Sequence, residues 1–214
     1  MTKSLIFRMS LLLFLLSCKK EESNEFHMRG VVRDATTSAP IENANVTVYQ
    51  QEVSGGSFNG NFIEASDGNS HASGIYDIRW IKKNIVSVEV EATKELWIPS
   101  RMELSGALYK PGETVYQDFY LYPESKINIT FLRNTNDWNT LSFRFENAFF
   151  DCNCCDNDWK NVSSSVNESN FECRSYGDTW LKYRYELINN NQDSLVQDSV
   201  YLTRFETKSI VINW

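Results

Sequence analysis

Histidine is almost missing from this 214-residue chain, which carries only His27 and His71. Proton transfer near neutral pH and the commonest metal sites both lean on imidazole, so such chemistry would fall to other side chains. Proline and glycine are scarce in one half: the four prolines all lie at or before Pro123, and of nine glycines only Gly177 lies beyond it. The composition therefore changes near Pro123-Glu124-Ser125, where we place a boundary. There is no Gly-rich phosphate loop, no His-Glu-x-x-His and no Gly-x-Ser-x-Gly, which argues against the chemistries those motifs build. Basic runs are missing as well, and a net charge of −7 repels nucleic acid and anionic headgroups alike. No apolar stretch is long enough to span a bilayer. Nothing in the pattern asks for a cofactor.

The N-terminus has a pattern of its own. Lys3 and Arg8 precede an apolar run from Leu11 to Leu16, and the small Ser17 is followed at once by Cys18. Charge, short apolar core and small residue make residues 1–17 a secretory signal. Leu15-Leu16-Ser17-Cys18 resembles the bacterial lipobox, which implies that Cys18 becomes an acylated, palmitate-bearing N-terminus. At about 0.8 kcal/mol per buried methylene, two or three chains would hold the protein on a leaflet. Residues 18–25 form a charged tether. Its Lys19-Lys20-Glu21-Glu22 resembles the export signal of Bacteroidota surface lipoproteins, implying a lipid anchor in the outer membrane with the body facing outward.

Residues 26–123 read as strands. Ala44, Val46 and Val48 alternate with Asn45, Thr47 and Tyr49, and Val86, Val88 and Val90 alternate with Ser87, Glu89 and Glu91. A period of two puts one face in a core and the other in water. Gly30, Val32, Asp34, Pro40-Ile41, Asn43-Ala44, Val46 and Val48 are similar to the opening of carboxypeptidase regulatory-like domains. Ser66-Asp67-Gly68, Gly74-Ile75-Tyr76 and the closing segment 118–121 match later parts of that pattern. The resemblance implies a transthyretin-like β-sandwich that stabilises or tethers and does not catalyse. The hydrolase of that fold needs paired histidines, an arginine and a Tyr-Arg-Gly-Ser end, and this chain matches none of these as a set. Residues 54–73, rich in Gly, Asn and Ser, read as a long polar connection.

Residues 124–214 show strand alternation over 126–132, 141–150, 179–187, 199–205 and 208–214. Leu141, Phe143 and Phe145 alternate with polar neighbours, as do Leu181, Tyr183, Tyr185 and Leu187. No helical periodicity intervenes, which predicts a second small antiparallel β domain and an all-β chain.

Four cysteines remain beyond Cys18: Cys152, Cys154, Cys155 and Cys173. In an oxidising compartment an even number predicts two disulfides, with three connectivities open. A bond between adjacent Cys154 and Cys155 is strained, which favours Cys152–Cys155 with Cys154–Cys173. The spacing is incomplete for a four-cysteine zinc site. Asp151, Asp156 and Asp158 lack the glycine and terminal glutamate of an EF-hand, so no metal is expected. Tyr116, Tyr120 and Tyr122 are expected on one face of the closing strand, opposite Phe119 and Leu121. That face would stack on sugars, contact a protein or, as the nearby boundary favours, pack between the two parts. Ser194 and Ser199 follow aspartates and precede aliphatic residues, which resembles Bacteroidota O-glycosylation sites. The expected function is a non-catalytic binding or assembly module. Its partners would be the membrane, through the lipid, and a glycan or outer-membrane protein. The alternative is a surface hydrolase built on carboxylates.

Overall fold

In the computed structural model, residues 24–147, 155–189 and 192–214 are described. Cys18 and the tether up to residue 23 lie outside the described residues, as do Cys152 and Cys154.

The strands before the compositional boundary are β1 (Glu25–Asp34), β2 (Asn45–Ser54), β3 (Ser57–Phe58), β4 (Ile63–Asn69), β5 (Ile75–Ile81) and β6 (Ile85–Thr93). They are followed by β7 (Trp97–Ile98), β8 (Ser100–Ser105) and β9 (Thr114–Tyr116). A long β10 (Phe119–Leu132) crosses the boundary. After it come β11 (Thr140–Phe145), β12 (Lys160–Ser163), β13 (Glu168–Tyr176), β14 (Thr179–Ile188), β15 (Asp193–Leu202) and β16 (Thr207–Asn213). The chain is all-β, as its alternation predicts: a sandwich followed by a second small, mainly antiparallel assembly.

Each assembly closes on its own core. In β1 every second residue from Phe26 to Asp34 points inward, and the strand pairs antiparallel with β5 and parallel with β9 and β10. Across the core, β2 pairs with β4 and β6, and β6 with β8. Met28, Val32, Tyr76, Ile78, Phe119 and Leu121 from one sheet meet Val46, Val48, Val88 and Val90 from the other, all essentially inaccessible. Tyr109 packs edge to face on Phe26 and Trp80 at 6.0 and 5.3 Å, those two rings meet tilted at 5.7 Å, and Trp80 Nε1 donates to Gln50 Oε1 at 3.1 Å. Burying side chains of this size contributes about 1.5–3 kcal/mol each.

β10 joins the two assemblies. Its alternate residues are buried along its whole length, Phe119 and Leu121 in the first core and Ile127, Ile129 and Phe131 in the second. Beyond Pro123 it pairs with β13 and β16, and its apolar face meets a sheet ordered β12-β11-β14-β15. The boundary seen in composition thus falls inside one strand, not in a linker. Pro123 is tolerated there because its missing N–H removes only one ladder bond, while its carbonyl still accepts from Gly177 N at 2.7 Å.

Three readings from sequence change. Residues 54–73 are not a simple connection, because β3 and β4 within them both pair with β2. The alternation in β6 slips at its start: Val86 is exposed and Ser87 buried, beside a register shift between Gln51 and Glu52 in β2. A bulge of that kind flips which residues face the core. The strand expected over 199–205 starts earlier, at Asp193, and β12 and β13 have no counterpart in the sequence reading.

Candidate functional site

The three tyrosines picked out from sequence do not share one strand. Tyr116 lies on β9 opposite Arg29, and Tyr120 and Tyr122 lie on β10, with Gln117 and Asp118 interrupting the ladder along β1. There the carboxylate of Asp118 accepts from Val31 N at 2.8 Å in place of a backbone carbonyl. All three rings are on the outer face, with Tyr116 73% and Tyr120 51% exposed. The packing between the two parts that was favoured from sequence reaches only Tyr122, and it leaves that ring 39% exposed. Its ring stacks on Tyr176 of β13, with centroids 4.4 Å apart and planes 3° from parallel.

That stacked pair walls a groove of about 400 Å³. Tyr120, Tyr122 and Tyr176 line it together with Ile98, Pro99, Ser100 and Arg101. The register explains the arrangement: Tyr122 is opposite Ile98 of β7, and Tyr176 is opposite Glu124, on the same face of β10 as Tyr122. Arg101 is oriented by the carboxylate of Glu89 on the neighbouring strand. Tyr176 and Arg101 were not singled out from sequence.

A second arrangement was also missed. His27 and His71 are not paired with each other, as read from sequence, but His27 has other partners: its Nε2 lies 2.9 Å from Asp77 Oδ1 and its Nδ1 2.7 Å from Thr114 Oγ1. Strands β5, β1 and β9 lie side by side, and the three side chains run in a line across them. Hydroxyl, imidazole and carboxylate in sequence is a nucleophile–base–orienter order. Here it ties three neighbouring strands on the outer face of a sheet, and Thr114 stands within a strand, not on an exposed turn. His71 lies in the turn between β4 and β5, where its backbone N–H bonds Ile75 O at 2.9 Å.

The disulfide in the described residues is Cys155–Cys173, with Cα atoms 5.1 Å apart. This corrects the favoured pairing of Cys152 with Cys155 and of Cys154 with Cys173. Cys155 N donates to Arg174 O at 2.7 Å, which lays the cysteine alongside β13 and places its sulfur at Cys173. Register of this kind is invisible in cysteine spacing. Cys155 is buried in the second core. Replacing it with serine is expected to cost about 3 kcal/mol, the loop-closure value for 18 residues of separation. Urea denaturation with and without reductant checks this, since wild type under reductant should match Cys155→Ser.

Ser194 and Ser199 lie on β15, which pairs only with β14 among the described strands, and Ser199 is exposed. Trp180 and Tyr201, half exposed, pack edge to face at 5.5 Å near the same edge. Among the described residues no three His, Cys, Asp or Glu side chains converge as metal ligands.

No family model and no curated protein matches this chain. Solved structures similar to it include the Bacillus anthracis TIE protein, at 11% identity and a TM-score of 0.37 over 88% of this chain. Shaft pilin SpaA from Lactobacillus rhamnosus GG is 10% identical, with a TM-score of 0.33, over 89% of this chain and 97% of its own. The 3-chlorocatechol 1,2-dioxygenase of Rhodococcus opacus 1CP is 11% identical, with a TM-score of 0.34, over 48% of this chain and 61% of its own. The chain spans only 34% of the TIE protein's length. At these scores the likeness assigns neither relationship nor function.

Proposed function

We propose that this protein is a lipid-anchored lipoprotein of the outer membrane that displays a non-catalytic binding module at the cell surface. The lipobox ending in Cys18 and the charged tether behind it support the anchor and its orientation. The observation that carries binding is the tyrosine-walled groove, where Tyr120 and Tyr122 stay partly exposed although two packed assemblies lie on either side. Its volume falls within the roughly 300–1,000 Å³ of small-molecule sites. The resemblance of the first part to carboxypeptidase regulatory-like domains fits the same role. So does an organisation into a module over 26–123 and a second over 124–214, each with its own core. Turnover by the Asp77–His27–Thr114 line is the competing reading. A flat sheet face with the hydroxyl within a strand favours a structural tie over an active site.

Cys18→Ser is expected to abolish labelling by a fatty-acid analogue and to move the protein from membranes into soluble fractions. Membrane retention of that variant would remove the anchor from the proposal. Incubating the purified protein with panels of esters and polysaccharides tests the other half. Turnover that vanishes in Thr114→Ala would replace binding with catalysis.

A further inference from the structure

We infer that the Tyr120–Tyr122–Tyr176 groove holds a neutral polysaccharide chain, one pyranose ring lying on the open face of Tyr122; this rests on the binding-module reading above. Tyr176 is buried, and its ring covers one face of Tyr122 in parallel contact at 4.4 Å. The pair is therefore a rigid platform with a single free face, and Tyr122 remains 39% exposed. Tyr120 lies two residues along the same strand face, about 7 Å away at the rise of an extended strand, which places a second ring beside the first.

A pyranose is amphipathic in a matching way. Its axial C–H groups form an apolar face that lies flat on an aromatic ring, and its hydroxyls form a polar rim. Around the platform the rim meets Ser100, the Arg101 guanidinium and the tyrosine hydroxyls, all of which donate, and the hydroxyl oxygens also accept. A proline-rich peptide needs the reverse, a slot between aromatic rings into which a side chain inserts. Two rings already in face-to-face contact leave no slot between them.

Charge selects among glycans. Arg101 is the cation lining the groove, and the carboxylate of Glu89 already pairs with it. With a net charge of −7 over the chain, a polyuronate meets repulsion that no unpaired cation in the groove offsets. A neutral chain has no such penalty.

The test is isothermal titration calorimetry of the detergent-solubilised full-length protein. The titrants are mixed-linkage β-glucan, galactomannan, arabinoxylan and, as the acidic control, polygalacturonate. At least one neutral polymer should bind, and polygalacturonate should not. Tyr120→Ala should weaken binding about tenfold with an unchanged melting curve, because its ring is half exposed. Tyr122→Phe, which keeps the stacked ring, should stay within about twofold of wild type. No binding by any neutral polymer, or undiminished binding by Tyr120→Ala, overturns the inference. A cross-link from position 120 to a protein partner, without glycan binding, overturns it too but leaves the binding module standing. Loss of both would sink the two readings together.

Discussion

Arg204→Ala is expected to lower the unfolding free energy by about 2–3 kcal/mol, short of the range for a fully buried pair because the arginine side chain is itself 30% exposed. Arg204 belongs to the turn between β15 and β16, in the second assembly, but its guanidinium reaches the first. Nη1 donates to Asp34 Oδ2 at 2.9 Å, Nη2 to Thr36 Oγ1 at 2.7 Å, and the same fork pairs with Asp178. Asp34 is the costly partner to abandon, because its side chain is only 4% exposed. The same turn docks in two further ways: Phe205 N donates to Glu124 O at 2.7 Å, and its ring meets Trp97 at 5.3 Å. Loss of the arginine should therefore also separate the melting of the two cores, turning one urea transition into two. Arg204→Lys should recover little, since a single ammonium cannot bridge Asp34, Thr36 and Asp178 at once. A loss below about 1 kcal/mol, with the single transition intact, would show that β10 and the Phe205 contacts couple the assemblies without the arginine.

The same contact sets an acid limit. Burial pushes the Asp34 carboxyl upward, but hydrogen bonds from Thr37, Thr36 and Arg204 outweigh it and hold the group down at about 2, against an ordinary 3.8. The ionised form is thus favoured in the folded chain. The stabilisation is complete above roughly pH 4 and is lost as the pH falls toward 2, and a shift of that size corresponds to about 2 kcal/mol. Asp34→Asn should flatten this part of the stability profile.

What sequence could show and what it could not divide along physical lines. Period-two alternation located β2, the second half of β10, β11 and β14, because burial on one face leaves its mark in every second residue. It failed where the ladder breaks register, at the start of β6, and where a strand carries few apolar residues, as in β4. The tyrosines were visible as an alternating stripe. Their sharing of a groove with Tyr176 and Arg101 depends on which residues stand opposite one another across strands, a property that no single strand carries. His27 shows the same limit: its partners lie 50 and 87 residues away and meet it only because β5 and β9 flank β1. The cysteines could be counted but not paired.

Gly30 unites these levels, and Gly30→Ala is expected to cost at least about 3 kcal/mol, beyond ordinary overpacking. In sequence it was one position in a family-like pattern, with no visible reason to be glycine. In the fold, a Cβ built there would lie 1.7 Å from Gln117 O and 2.9 Å from the Tyr76 ring. Neither neighbour is free to yield. Gln117 N donates to Arg29 O at 3.0 Å, and Gln117 O accepts from the buried Tyr76 hydroxyl at 2.6 Å. Burial raises the pKa of that hydroxyl and keeps it a donor. The methyl group must therefore push Gln117 outward, breaking the Tyr76 bond inside the first core and displacing the joint between β9 and β10. Tyr116 and Tyr120 flank that joint, so the groove should suffer along with the core. Thermal denaturation should show the first core melting earlier than in wild type, and any binding that depends on Tyr120 should fall with it. Near-wild-type stability in Gly30→Ala would mean that the Gln117 carbonyl has another resting place, and that the close approach of these strands is not what positions the tyrosines.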